Sequence, residues 1–191
     1  MKIRVFVALE LSQSIRKKLS EHAKFFAGLD KSKQIRWINP ENYHMTLVFL
    51  GEIDYIKVSR LKIFLERKLY SFQTIPFKIS AIDFFPFSSP KVVAGFFEST
   101  AELIELQSGV TDLVCSFGLS LEKKRFVPHV TLGRLKLSSK KKLNLQARSI
   151  FLEGVAGSVS IYQSELKSNG PVYNVLAEIN LQNNCKTKNY I

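Results

Sequence analysis

The sequence predicts an α+β fold built mostly of antiparallel strands, and three observations carry that expectation. First, stretches whose apolar residues alternate at every second position are interleaved with stretches whose apolar residues recur at helical spacing. The interleaving is irregular, with about eight or nine strand-like runs against three long helical ones, unlike the regular alternation of a doubly wound parallel sheet. Second, the later strand-like runs follow one another across short turns bearing Gly and Pro, and turns that short join antiparallel neighbours. Third, no Pro/Gly/Ser-rich linker divides the chain, so residues 1–181 are expected to form one compact unit, with a polar, frayed tail at 182–191.

The elements follow in order. Residues 2–9 alternate as a strand and their apolar run stops at Glu10. Ser12 can cap a helix through about Gly28, with Ile15, Leu19, Ala23 and Phe26 on one stripe and Gly28 where a C-terminal glycine is wanted. Residues 35–38 are extended and run into the turn Asn39-Pro40-Glu41-Asn42. A strand over 43–50 is closed by Gly51, and a helix over 55–70 shows its stripe at Val58, Leu61, Leu65 and Leu69. Strands at 77–85 and 92–97 flank the turn Ser88-Ser89-Pro90. Ser99 and Glu102 have the spacing of a capping box ahead of a helix carrying Leu103, Leu106, Val110, Leu113 and Phe117, which stops at Gly118. Strands at 127–135, 149–153 and 157–166 follow, the first two separated by the basic stretch 136–142. Gly170-Pro171 turns the chain into a last strand at 173–181.

The composition narrows the class. The chain has 191 residues, 46% of them hydrophobic and 23% charged, which is ordinary for a globular protein and excludes wholesale disorder. Cys115 and Cys185 cannot build a disulfide framework, and the short apolar run after Met1-Lys2-Ile3-Arg4 is a buried strand rather than an export signal. No stretch approaches the roughly 18 apolar residues of a membrane span. The expectation is a cytoplasmic protein with reduced thiols. With 28 Lys and Arg against 16 Asp and Glu the net charge is +12, which points to an anionic partner without choosing among nucleic acid, nucleotide and an acidic membrane surface.

The chemistry sits in a repeat. The chain has 3 His, and two of them open the same local pattern, His44-Met45-Thr46-Leu47-Val48-Phe49-Leu50 and His129-Val130-Thr131-Leu132-Gly133-Arg134-Leu135. In a strand, residues i and i+2 share a face. His44 therefore projects with Thr46 and His129 with Thr131, while Met45, Leu47, Val130 and Leu132 turn to the opposite, apolar side. Brought across a cleft, two imidazoles and two hydroxyls suit phosphodiester chemistry. One neutral His takes a proton from water, and the other, as imidazolium, gives one to the leaving oxygen. The Thr hydroxyls can donate to the non-bridging oxygens as charge grows on them. In a regular strand Arg134 has the wrong parity for this face, so it reaches the phosphate only from a strand end or past a bulge, for which Gly133 is the candidate.

These residues resemble the 2H phosphoesterase superfamily, marked by two His-x-Thr motifs, and more closely the bacterial and archaeal RNA 2′,3′-cyclic phosphodiesterases, also called 2′-5′ RNA ligases. The resemblance extends to Arg4-x-Phe6-x-Ala8-Leu9, to Arg36-Trp37 with Pro40-Glu41-Asn42, and to Phe126-x-Pro128 before the second motif. It continues through Tyr162-x-Ser164-x-Leu166 and Gly170-Pro171-x-Tyr173. It implies a bilobal, pseudo-twofold arrangement of mostly antiparallel sheets around a central cleft with helices outside. It also implies opening of a ribose 2′,3′-cyclic phosphate to a 2′-phosphate without a metal or other cofactor, with His44 as acid and His129 as base. The reverse reaction, 2′-5′ joining, follows from microscopic reversibility. The family resemblance makes Arg134 a phosphate contact. One departure stands out: where many relatives carry an aromatic residue after a Val-rich strand, this chain has Val92-Val93-Ala94-Gly95.

Other assignments are made from the residues. Arg125, in the run Lys123-Lys124-Arg125, is a candidate phosphate contact, as the Lys140-Lys141-Lys142 run is a candidate guide for RNA. Trp37 is a core or cleft-wall aromatic that could serve as a base platform. His22 is read as a boundary residue of the first helix. There is no His-Glu-x-x-His, paired-Cys or phosphate-loop spacing to suggest a metal or nucleotide-triphosphate site. The partner expected is RNA with 2′,3′-cyclic phosphate ends, tRNA fragments among them, bound by a monomer that touches no membrane. Two other readings stay open: a non-catalytic RNA-end-binding module, and a 2H enzyme acting on small cyclic phosphates or 2′-5′ oligoadenylates.

Overall fold

A computed structural model of the chain describes residues 1–122, 125–136, 146–167 and 170–182. Lys123, Lys124, the Lys140–Lys142 run, Cys185 and the tail beyond Gln182 lie outside these residues. In chain order the elements are β1 (Lys2–Glu10), α1 (Gln13–Leu29), β2 (Ile35–Trp37), a 3-10 turn at Pro40–Asn42, β3 (His44–Asp54), α2 (Tyr55–Leu69), β4 (Ile75–Phe85), β5 (Val92–Phe97), α3 (Ala101–Ser116), β6 (His129–Leu135), β7 (Arg148–Ala156), β8 (Ser158–Lys167) and β9 (Gly170–Asn180).

All nine strands form one sheet in the order β7-β4-β5-β6-β3-β1-β8-β9, with β2 added to β6, and the pairings within it are antiparallel. Four strands lie on each side of the β6–β3 seam, which gives the fold its twofold character. Helix α1 packs against the β6 half, whereas α2 and α3 pack against β3, α2 also reaching β9. The helices thus cover one face of the sheet and leave the other to the site. Ile15, Leu19, Ala23 and Phe26 of α1, and Val58, Leu61, Leu65 and Leu69 of α2, are the buried stripes, as the spacing predicts. Each fully buried Leu, Ile or Phe contributes about 1.5–3 kcal/mol. These stripes join the inward residues of the strands in one hydrophobic cluster.

Several boundaries depart from the sequence reading, each for a visible reason. Ser12 caps α1 by accepting from the Ile15 N–H at 3.4 Å, but the helix runs through Gly28 to Leu29. Asp30 ends it instead: its N–H donates to the Phe26 carbonyl and its carboxylate accepts from the Gln34 and Ile35 N–H groups at 3.1 and 2.9 Å. A carboxylate holding two main-chain donors turns the chain into β2, and no glycine is needed. The cap of α3 is Thr100 rather than Ser99, accepting from the Leu103 N–H at 3.3 Å. The buried stripe runs from Leu103, Leu106 and Val110 to Val114, while Leu113 and Phe117 pack at the margin of the core. Strand β3 continues past Gly51, whose φ of 72° accommodates an irregularity against β1, and ends at Asp54 opposite Lys2. Gly170 and Pro171 pair with Lys167 and Leu166 inside the β8–β9 ladder rather than forming its turn. Gln182 is anchored, its N–H donating to the Phe72 carbonyl and its own carbonyl accepting from the Thr74 N–H. Among the described residues, no helix is long and apolar enough to cross a membrane.

Candidate active site

The two motif strands meet at the centre of the sheet. Strands β3 and β6 pair through Met45 opposite Val130, both wholly buried on the helix-covered face. Antiparallel geometry about that pair places His44 and Thr131 to one side of it and Thr46 and His129 to the other, all four half-buried on the open face. Among the described residues neither Thr hydroxyl forms a hydrogen bond, so both are free to meet a ligand.

A bulge follows each motif at the same position. In β6, Leu132 is the extra residue opposite β5, where Gly133 pairs with Val93 and Thr131 with Ala94. In β3, Leu47 is the extra residue opposite β1, where Val48 pairs with Val7 and Thr46 with Ala8. One extra residue shifts the side-chain parity by one. Positions five residues after each His therefore return to the site face: Arg134 in one half and Phe49, 62% exposed, in the other. Gly133 belongs to the bulge because β2 lies close above it; a Cβ there would stand 2.6 Å from Ile35 Cγ2 and 3.1 Å from Trp37 Cε3.

Both rings turn the same edge to the main chain. The His129 Nδ1–H donates to the carbonyl of Val127 at 2.7 Å. The His44 ring lies beside the carbonyl of Asn42, also two residues upstream, but short of hydrogen-bonding geometry, and its Nδ1 is buried without a partner. In each half Nε2 is the nitrogen left for chemistry. Burial pushes His44 down to about 4, and the charges of Arg16, Arg134 and His129 act in the same direction, against the lift from the Asn42 carbonyl. Burial also lowers His129, with Arg134 adding to it and the Val127 carbonyl opposing.

Arg134 is the common element. One of its terminal nitrogens donates to Tyr173 Oη at 3.3 Å, while its Nε is buried without a partner. Its half-buried guanidinium has donors to spare and lies beside two imidazoles whose protonation it opposes, which is a chemistry suited to an anion. Any anion held beside Arg134 would raise both His pKa values together.

The surroundings of the two rings differ. His44 is packed by Phe6 (4.9 Å between centroids), stacked with Tyr162 (5.2 Å) and met edge-on by Tyr173 (5.2 Å). Tyr162 in turn donates to Glu10 Oε1 at 2.5 Å, and Glu10 Oε2 is paired with Arg16 at 2.5 Å. His129 lies 4.7 Å from Phe85 and 6.4 Å from Phe96. Phe96 follows Gly95 directly at the end of the Val-rich stretch. Phe6, Glu10, Arg16, Tyr162 and Phe85 escape the sequence reading as site residues, although the break of the first apolar run at Glu10 was a visible signal.

Trp37 and Arg125, the other residues singled out, lie as follows. Trp37 shares the face of Ile35 and Gly133, packing against the core rather than in the cleft, because alternation along β2 gives the site face to Arg36, opposite Arg134. Arg125 is exposed in the segment leading into β6. His22 is partly buried on α1, away from both motifs. Among the described residues, no three His, Cys, Asp or Glu side chains gather as a metal site needs.

Comparison with known proteins decides the family. The sequence profile of the LigT like phosphoesterases matches residues 9–94 and 97–173. The chain belongs to that family. It is 32% identical over 179 residues to the RNA 2′,3′-cyclic phosphodiesterase of Thermotoga maritima, covering 92% of this chain and 94% of that one. It is also 32% identical over 181 residues to the enzyme of the same name from Methanocaldococcus jannaschii, covering 92% and 99%. In fold, a Thermus thermophilus protein of known structure superposes with a TM-score of 0.81 at 24% identity, over 95% of this chain and all 100% of that one. LigT of E. coli bound to 3′-AMP superposes with a TM-score of 0.74 at 21% identity, over 95% of this chain and 99% of that one. The LigT-like fold, with sheets curled around a central face and three helices behind, is thus the one the sequence predicts.

Proposed function

We propose that the chain hydrolyses RNA 2′,3′-cyclic phosphate ends to 2′-phosphates by two-histidine acid–base catalysis. The observation that carries the reading is the arrangement on the open face: two imidazoles presenting Nε2, two unengaged Thr hydroxyls and the unpaired Nε of Arg134. The activity named for the curated relatives supports the same substrate.

The cyclic phosphodiester enters as a monoanion against Arg134. Neutral His129 takes a proton from water through Nε2 while the water oxygen bonds to phosphorus. The bond from phosphorus to the 3′-oxygen breaks, and protonated His44 delivers its Nε2 proton to that oxygen. The product is a 3′-hydroxyl and a 2′-phosphate monoester. Thr46 and Thr131 donate to the non-bridging oxygens as their charge grows. Proton transfer of this kind is worth about 10²–10⁴ in rate for each participant. Run backwards with a 5′-hydroxyl in place of water, the same steps make a 2′-5′ linkage.

The test is incubation with a short RNA ending in a 2′,3′-cyclic phosphate, in the presence of EDTA, followed by identification of the end. Conversion to a 2′-phosphate that disappears in His44→Ala and in His129→Ala supports the reading. Tight binding without conversion instead favours a module that recognises RNA ends, and conversion only of small cyclic phosphates or 2′-5′ oligoadenylates favours a small-molecule enzyme.

A further inference from the structure

Beyond His44 the open face continues into a cavity of about 600 Å³, large enough for a nucleobase with its sugar. Tyr162 and Tyr173, the same rings that pack against His44, form its near wall. Its far end is polar, lined by Glu10, Ser158, Ser160 and Glu178. The charge there runs against the rest of the molecule. In a chain of net charge +12, the cavity carries the carboxylates of Glu10, Glu41 and Glu178 against the single guanidinium of Arg16. Phosphate is repelled from such a place, and a group rich in N–H donors is drawn to it.

One buried atom in the cavity wall wants a partner, and one carboxylate at its edge has an acceptor to offer. Ser160 is 1% exposed, and its hydroxyl is buried with no hydrogen bond. Buried hydroxyls are almost always paired in folded proteins, so one left open at a cavity wall is matched to something that enters. Both Glu10 oxygens are taken, by Tyr162 and Arg16. Glu178, exposed at the edge of the cavity, uses only Oε1, which accepts from Ser158 at 2.6 Å, and leaves its second oxygen to solvent or to a donor that enters.

We propose that this cavity holds the base of the terminal nucleotide and favours one with an exocyclic amino group, adenine, guanine or cytosine, over uracil. The inference rests on the cyclic phosphodiesterase reading. In it His44 protonates the 3′-oxygen, which puts the ribose, and hence the base, on the His44 side of the phosphate. An amino group donates to the open Glu178 oxygen in a charge-assisted bond, and Ser160 completes the edge. Uracil offers one N–H flanked by two carbonyl oxygens, and those oxygens face carboxylates.

The experiment measures kcat/KM on the four nucleoside 2′,3′-cyclic phosphates for the protein, for Glu178→Gln and for Ser160→Ala, each checked for folding by circular dichroism. A site built to pair a substrate N–H should disfavour uridine by about tenfold or more, chiefly through KM. Gln at 178 keeps the shape and offers an N–H to the uracil carbonyl, so the spread should narrow in that variant. Equal kcat/KM for all four bases, or a spread that neither substitution changes, overturns the proposal while leaving the phosphodiesterase reading intact. If no cyclic phosphate is turned over, that reading fails, and calorimetric titration with nucleoside 2′-monophosphates tests the cavity by itself. Tighter binding of the amino-bearing bases, levelled in Glu178→Gln, then supports the base site; equal binding of all four overturns it.

Discussion

Met45 faces Val130 across the seam between β3 and β6, and the two sequence motifs are joined in the sheet through that pair. Both side chains are wholly buried, and each is the residue between a His and a Thr. The twofold relation of the site is therefore fixed from below, by two apolar residues in the core, while the four polar residues above are free to meet a ligand. Alignment of the imidazoles depends on this seam more than on any bond between the imidazoles themselves.

Removing either imidazole should separate chemistry from binding. His44→Ala and His129→Ala are each expected to lower kcat on a cyclic-phosphate RNA by about 10²–10⁴. The affinity for RNA, which the proposal assigns to Arg134 and the basic surface, should change far less. Equilibrium binding measured beside single-turnover rates checks both halves. A variant that loses affinity and rate in equal measure would show that the ring binds rather than transfers a proton.

Burial lowers both rings most and Arg134 adds to it in each, so Arg134→Gln has two signatures. Without its charge beside them, His44 and His129 should both titrate at higher pH, which proton NMR of the imidazole C–H signals reads directly. The loss of an anion contact should cost about 10²-fold in kcat/KM. A fall in activity with both imidazole titrations unmoved would place Arg134 outside the site.

The pH–rate profile follows from the same shifts. The proposed mechanism needs one imidazole charged and the other neutral, and burial with neighbouring cations lowers both below the usual 6.5. In the free enzyme the productive pair of states is most populated on the acid side of that value, so kcat/KM should peak below pH 6.5. A bound phosphate anion raises both groups, so the kcat profile should lie at higher pH than the kcat/KM profile. A kcat/KM maximum above pH 7.5, or a flat profile, contradicts this.

The sequence made the motifs legible because strand alternation is a local rule: His and Thr share a face, and Met45 and Val130 take the other. It also exposed the buried stripes of α1 and α2, whose spacing depends only on the helix. Arg134 marks where local rules stop. Its side is decided by a bulge of ordinary apolar residues, Leu132 before Gly133, and only the pairing with Val93 and Ala94 reveals it. The packing around His44 was out of reach for a different reason. Tyr162 and Glu10 are 152 residues apart and meet because β8 pairs with β1, a neighbourhood that no window along the chain contains. Whether Trp37 belonged to core or cleft was open in the sequence because its side depends on how β2 docks on β6.

Acid should destabilise the fold through His44. Its folded pKa of about 4 lies below the unfolded 6.5, so between those values the unfolded chain binds a proton that the folded one refuses. Stability contributed by the neutral ring is whole above pH 6.5, falls as pH drops through the window, and is gone below about 4. The shift corresponds to at most about 3 kcal/mol. His44→Phe keeps an aromatic ring among Phe6, Tyr162 and Tyr173 and removes the titration. Urea unfolding at pH 7, 6, 5 and 4 should show a shallower decline for that variant than for the parent.

Two glycines should respond in opposite directions to the same change. Gly28 lies inside α1, and a Cβ there meets nothing within 4 Å, so Gly28→Ala should stabilise by about 0.5–1 kcal/mol through helix propensity and a less flexible unfolded chain. At Gly133 the new methyl would stand 2.6 Å from Ile35 Cγ2, on a branched side chain with little freedom, and 3.1 Å from the rigid Trp37 ring. Gly133→Ala must push β2 off β6, at about 1–3 kcal/mol. Because the bulge at Gly133 aims Arg134, the same substitution should lower kcat/KM toward the level of Arg134→Gln, whereas Gly28→Ala leaves activity unchanged. Thermal unfolding and turnover of the two single variants, measured side by side, check both. Full activity in a destabilised Gly133→Ala protein would mean that Arg134 reaches the site without the bulge.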